Sequence, residues 1–165
     1  ANALQVGATI ANTKLFPAPG SIASTWGGGP KIDLALGAQT IKIIKKRKLL
    51  NNVVKQGSHL KKRLIEFQQS HLNISSVRGL GLMLAFDLPS KQIRNNVIIE
   101  CLKNGLVLLG CGERSIRIIP PYIISKDEID EAVPIIANAV NKFKSQKIKH
   151  TGSICNYLDC GNHQT

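Results

Sequence analysis

The sequence contains few aromatic residues, few acidic residues and no long apolar run. Aromatic residues make up 4% of the 165 residues, with one Trp and one Met, whereas 43% of the residues are hydrophobic. We therefore expect a core of ordinary size built from Ile, Leu and Val. No apolar run reaches the roughly 20 residues of a membrane-spanning helix, and the first residues lack the pattern of a secretory signal. These absences favour a globular protein of the cytoplasm, with reduced thiols and no membrane partner.

Because acidic residues are scarce, the net charge is high, and it is unevenly distributed. Ten Asp and Glu oppose 22 Lys and Arg, which gives a net charge of +12. Residues 41–70 contain nine basic residues and one Glu. A basic stretch can bind nucleic acid, but here no aromatic residues alternate with the charges to stack on bases. We interpret the stretch as the solvated face of a helix and expect no nucleic-acid partner.

The few cysteines predict neither a disulfide framework nor a metal site. Cys101 and Cys111 lie among apolar residues, which is typical of small buried side chains. Four residues near the C-terminus contain metal-binding side chains, but their spacing matches no established zinc-ligand pattern. They are His150, Cys155, Cys160 and His163.

The densest local signal is the segment Ser24-Thr25-Trp26-Gly27-Gly28-Gly29-Pro30. Glycines allow a tight turn and a close backbone approach. Hydroxyl groups and backbone N–H groups beside such a turn, at the start of a helix, favour a bound phosphate. The alternative is an ordinary loop whose Trp26 fills a core, since short glycine-rich segments often occur without a ligand.

Apolar residues spaced by three and four positions predict a long helix that begins at Lys31. The spacing is interrupted by basic residues at 45–48 and then continues. The pair Asn51-Asn52 is a candidate break into two helices. The apolar positions are Leu34, Ala38, Ile41, Leu50, Val53, Gly57, Leu60, Leu64 and Phe67.

The rest of the chain alternates predicted strands and helices. Gly79 and Gly81 suggest a bulge or a close backbone approach within one strand. Ser90 is a predicted N-cap, and Ser125 with Glu128 forms a predicted capping box. Together these elements predict an α/β fold in which helices cover a small sheet. The predicted strands are Leu4–Ile10, Val77–Asp87, Val107–Leu109 and Ile116–Ile119.

Four segments, in order along the chain, resemble the C-terminal part of the class III aminotransferases, which use pyridoxal 5′-phosphate (PLP). They are Ala3-Leu4-Gln5-Val6-Gly7-Ala8, Ser24-Thr25-Trp26-Gly27-Gly28, Val77-Arg78-Gly79-Leu80-Gly81-Leu82-Met83 and Ile116-Arg117-Ile118-Ile119-Pro120-Pro121. The combination looks most like the lysine 6-aminotransferase branch, followed by the 4-aminobutyrate and ornithine-type branches.

The resemblance implies a fold and a division into domains. The fold is the small C-terminal domain of a fold-type I PLP transferase, preceded by the end of the large domain. Residues 1–30 then form the end of the large PLP-binding domain with its cofactor loop. Residues 31–70 form an interdomain helix and residues 71–145 the small domain. Residues 146–165 lie beyond the resemblance, and because they show no periodicity we expect a disordered tail.

The resemblance also implies roles for individual residues. Thr25, with Ser24 beside it, falls where the family binds the PLP phosphate of the neighbouring subunit, so the site requires a homodimer. Arg117 falls where the family recognises a carboxylate, which suits a guanidinium group. Asn2 falls where the family has the lysine that forms a Schiff base with PLP. An amide neither forms an imine nor acts as a base, so that catalytic group is lost here.

The implied function is therefore that of a C-terminal fragment. The expected enzyme moves an amino group from an ω-amino or basic amino acid to a 2-oxo acid, and the 165 residues alone are expected to be inactive. The alternative is a non-catalytic dimerising or binding module derived from the same fold, whose basic helix contacts acidic partners.

Overall fold

A computed structural model describes residues 12–15, 30–70 and 73–143. The chain divides into two compact units, Ala1–Leu50 and Asn51–Thr165. The predicted domain division at residues 30, 70 and 145 stays a prediction. The predicted strand at residues 4–10 and the tail at 146–165 lie outside the described residues.

Two helices occupy most of residues 31–70. A short 3-10 helix spans Thr13–Leu15, α1 spans Lys31–Lys46 and α2 spans Leu49–Ser70. The chain breaks at residues 47–48, where Lys48 has a φ of 49°. The predicted break at Asn51-Asn52 is wrong. Asn52 lies inside α2, and its side-chain amide donates hydrogen bonds to the carbonyl oxygens of Tyr122 (2.8 Å) and Ile124 (3.0 Å).

The apolar spacing of α2 is reflected in burial. Gly57, Leu60, Leu64 and Phe67 are all buried. Leu50, at the start of the helix, is exposed. Residues three and four positions apart lie on one face of a helix, so this spacing directs the buried set toward the core.

The segment predicted as one strand at Val77–Asp87 is a hairpin. Strand β1 spans Ser75–Leu80, strand β2 spans Met83–Asp87, and the two pair antiparallel. The loop is Gly81-Leu82, and Gly81 has a φ of 55°. A glycine at the first position of a two-residue loop suits the type II′ turn, which matches the twist of the strands.

Two further strands complete one antiparallel sheet. Strand β3 spans Leu109–Cys111 and β4 spans Ser115–Ile118, and the strand order is β1-β2-β4-β3. Helix α3 spans Lys91–Lys103, and helix α4 spans Lys126–Lys142. Both predicted caps are confirmed: the Ser90 hydroxyl accepts from an α3 backbone N–H group, and Ser125 forms the capping box.

Helices cover one face of the sheet, which confirms the predicted α/β class. Alternate residues of β2 and β4 are buried on that face, and the intervening residues therefore lie on the other face. The core is contributed by α2, β2, α3, β4 and α4. Its most buried members include Leu64, Leu84, Phe86, Val97, Ile116, Ile129, Ile136 and Val140.

Candidate functional site

Arg117 lies in the middle of β4, on the face of the sheet opposite the core. Its neighbours in the strand, Ile116 and Ile118, are buried on the core face. Across the sheet Arg117 pairs with Ala85 of β2 and with Leu109 of β3. The sheet thus holds the Cα of Arg117 between two strands and leaves its side chain half-buried.

A second arginine on the same face already has its partners. Arg78 pairs with Ala85 in the register and so lies in the same row as Arg117. Its guanidinium donates to Asp87 Oδ1 (2.8 Å) and to Ser115 Oγ (3.0 Å). The Ser115 hydroxyl donates to Asp87 Oδ1 (2.6 Å). The Ser115 hydrogen bond, with a smaller contribution from Arg78, lowers the pKa of Asp87, so this carboxylate is ionised and satisfied by its neighbours.

Arg117 differs because its guanidinium group has an unsatisfied donor. Nε of Arg117 is buried and makes no hydrogen bond with the part of the chain that the structure describes. A buried donor without a partner costs about 1–3 kcal/mol, and buried polar groups normally have partners. Guanidinium binds carboxylate and phosphate best, through parallel N–H···O bonds. The arrangement therefore favours an anionic ligand at Arg117.

An apolar cavity lies beside Arg117. Its volume is about 320 Å³, and its lining includes Leu60 of α2, Ile118 of β4 and Ile136 of α4. Arg117 is the one charged residue among the described residues that line it. The segment after β4 forms part of the wall and is held by the hydrogen bonds from Asn52.

The other predicted site residues are not among those that the structure describes. Asn2, Ser24 and Thr25 lie outside the described residues, as do the four metal-binding side chains near the C-terminus. Within residues 12–15, 30–70 and 73–143, no group of three or more His, Cys, Asp or Glu side chains is placed to hold a metal ion. No helix in those ranges is long and apolar enough to cross a membrane.

Sequence reasoning missed the Arg78–Asp87–Ser115 network and the cavity. The network depends on the hairpin between β1 and β2, which places Arg78 and Asp87 on one face. A turn signal at Gly81 is the feature from which this pairing was recoverable.

Comparison with known proteins decides the family. The family model described as aminotransferase class III matches residues 1–140. The chain belongs to the class III aminotransferases. The resemblance found in the sequence is thereby confirmed.

Individual relatives show how much of the family's length is represented. Mitochondrial 4-aminobutyrate aminotransferase from Mus musculus is 38% identical over 128 residues, which cover 77% of this chain and 25% of that protein. L-lysine-epsilon aminotransferase from Streptomyces clavuligerus is 31% identical over 128 residues, which cover 76% of this chain and 28% of that protein. The structure of lysine aminotransferase from M. tuberculosis aligns with a TM-score of 0.71 at 29% identity, and the alignment covers 78% of this chain and 29% of that one. This class III chain thus spans little more than a quarter of the length of these relatives.

Proposed function

We propose that this chain is the C-terminal part of a PLP-dependent aminotransferase that moves an amino group from an ω-amino or basic amino acid to a 2-oxo acid. The observation that carries the proposal is the half-buried Arg117, whose Nε has no partner in the described chain. Relatives named for 4-aminobutyrate, acetylornithine and L-lysine support this class of amino donor.

Arg117 binds and orients the substrate by its carboxylate. Its guanidinium stays charged at any physiological pH and offers parallel donors in a fixed plane. Hydrogen bonds within the sheet fix the backbone of β4, so the position of the bound carboxylate is set by a rigid element. Partial burial excludes water and strengthens the ion pair. Asp87 does not compete for Arg117, because Arg78 and Ser115 already satisfy it.

The predicted site residues of this chain suit the phosphate of PLP but not its covalent attachment to the protein. When bound, PLP supplies the electron sink for amino-group transfer, and family members use this cofactor. The hydroxyls of Ser24 and Thr25 are suitable donors to its phosphate, across a homodimer. The amide of Asn2 does not suit covalent attachment. We therefore propose that the 165 residues alone are inactive. A cytoplasmic location stays a prediction.

A second candidate is a non-catalytic dimerising or binding module. Asn2, which stands in place of the catalytic lysine, favours this second candidate. Large apolar side chains at the surface also favour it, including Leu80 (88% exposed) and Val107 (72% exposed). Exposed apolar patches mark interaction surfaces. Under both candidates a sizing column should show a dimer or larger species, and a stable monomer would contradict them.

The decisive experiment joins this chain, carrying Asn2→Lys, to the N-terminal part of a related aminotransferase. Borohydride reduction and peptide mapping should then locate PLP at position 2, and the protein should exchange amino groups with 2-oxoglutarate. The same joined protein with Asn2 unchanged is the matched control. Thr25→Ala in this background should weaken PLP retention, since a charge-assisted hydrogen bond contributes about 1.5–3 kcal/mol.

The role of Arg117 is tested in the same joined protein. Arg117→Gln should lower kcat/KM for the amino acid by roughly tenfold to a hundredfold, as expected for a lost charge-assisted hydrogen bond, and should leave PLP retention unchanged. Arg117→Lys should restore part of the loss. Arg114→Gln removes an exposed arginine beside the same strand and is the control. Equal activity of the Arg117 and Arg114 variants would refute the assignment.

A further inference from the structure

We propose that helix α1 binds the surface of an anionic lipid bilayer. The inference goes beyond the proposed function, because it involves neither the cofactor nor an amino acid. It rests on an exposed apolar stripe of α1 and on the lysines beside that stripe, all within the Ala1–Leu50 unit. Binding at a membrane surface requires no spanning helix, so it is compatible with the lack of a long apolar run in the sequence.

The apolar stripe of α1 is exposed. Leu34, Ala38 and Ile41 are four and three positions apart and therefore share one face of the helix. All three side chains are exposed, with Leu34 at 51% and Ile41 at 55%. The buried residues of α1, Asp33 and Gly37, lie on a different side of the helix. The regular apolar spacing of α1 thus produces a surface stripe and not a buried one.

Lysines lie along this stripe. Lys45 follows Ile41 by four positions and continues the stripe, and Lys42 lies beside it. No acidic residue occurs in the sequence between Asp33 and Glu66. Lysines in the last turn of a helix also interact favourably with its dipole, but that effect requires no apolar stripe beside them. The exposed basic residues in and directly after α1 are Lys31, Lys42, Lys45, Lys46, Arg47 and Lys48.

This combination of charge and apolar surface favours a bilayer over a protein partner. A basic amphipathic helix lies in the membrane interface with its apolar side chains below the headgroups, while its lysines reach the headgroups. A stripe of three side chains is far smaller than the roughly 800 Å² that each partner buries in a specific protein complex. A bilayer needs no complementary shape, and each basic residue near it adds attraction. A second copy of α1 would place lysines against lysines.

The first test is flotation of the 165-residue chain with lipid vesicles in a density gradient, which separates vesicle-bound protein from aggregated protein. Vesicles of equal parts phosphatidylcholine and phosphatidylglycerol should bind the chain at least about tenfold more tightly than phosphatidylcholine alone. Binding should weaken as salt is added, because salt screens exposed charges. Equal binding to the neutral vesicles, or no binding to the anionic ones, would overturn the proposal.

The second test removes charge from α1. Lys42→Gln combined with Lys45→Gln should weaken binding to the anionic vesicles by about twentyfold, since each basic residue near the surface contributes about fivefold. Lys55→Gln combined with Lys103→Gln removes the same charge at exposed positions outside α1 and is the control. An equal loss of binding in the two double variants would refute the role of α1.

The third test separates lipid from other acidic partners. Ile41→Ser removes an apolar side chain from the stripe and should weaken vesicle binding at least about fivefold. Ile43→Ser makes the same change on another side of α1, where the side chain is 40% exposed, and should have little effect. Equal binding of these two variants would mean that charge alone holds the chain, as expected for an acidic macromolecule, and would refute the bilayer.

Every substituted side chain is exposed, so the variants should keep the helix content of the parent protein by circular dichroism. If Ile41→Ser lost helix content, the lysine pairs and the lipid series would still decide the inference. Amino-group exchange by the joined Asn2→Lys protein involves no lipid, so the proposed function and this inference fail separately.

Discussion

Helix α2 approaches the hairpin between β1 and β2 so closely that only glycine fits at position 57. A Cβ atom added to Gly57 would meet the backbone of Gly81, with Gly81 Cα at 2.8 Å and the Gly81 carbonyl group closer still. The obstacle is backbone, which yields less easily than the end of a flexible side chain. Gly57→Ala should therefore displace either the helix or the turn.

The sign of the change in unfolding free energy caused by Gly57→Ala distinguishes this close contact from the environment of an ordinary helical glycine. At an unhindered helix position, Gly→Ala stabilises by about 1 kcal/mol. Overpacking a close contact costs about 1–3 kcal/mol. The two effects oppose each other, so Gly57→Ala should lower the free energy of unfolding by up to about 2 kcal/mol instead of raising it.

Urea unfolding followed by circular dichroism measures this difference. Ser58→Ala is the control, because Ser58 is exposed on the same helix and its replacement changes helix propensity without a new contact. Ser58→Ala should be neutral or slightly stabilising. If Gly57→Ala were more stable than the parent protein by about 1 kcal/mol, the close approach of α2 to the hairpin would be refuted.

Two further predictions follow from pKa values. The Ser115 hydrogen bond and Arg78 lower the pKa of Asp87. The stability provided by its ionised form is therefore present above the ordinary carboxyl pKa of about 3.9 and is lost as the pH falls through the lower folded-state pKa. Asp87→Asn should consequently reduce the urea midpoint more at pH 7 than at pH 3, and an equal reduction would contradict the network. Burial raises the pKa of Cys101 to about 12, so iodoacetamide should modify half-buried Cys111 faster than Cys101 in the folded protein. Mass spectrometry should show this difference disappear in urea.

The sequence by itself determined those features that depend on residues close together in the chain, such as helix caps and the buried face of a helix. The caps at Ser90 and Ser125 were predicted and are present, because a hydroxyl group reaches a backbone N–H group only three residues away. The spacing of apolar residues predicted the buried face of α2. The family followed from four short segments, among them the one that contains Arg117.

Only the tertiary structure decided how distant segments meet. The hairpin at Gly81 was missed because an apolar run continues on both sides of the turn, and a strand and a hairpin then give similar patterns. The pair Asn51-Asn52 predicts a helix break, since Asn competes locally with helix hydrogen bonds. The actual acceptors of the Asn52 amide are carbonyl groups some 70 residues away. The unpartnered Nε of Arg117 and the apolar cavity beside it depend on strand register and on packing between α2, β4 and α4, for which no local pattern exists.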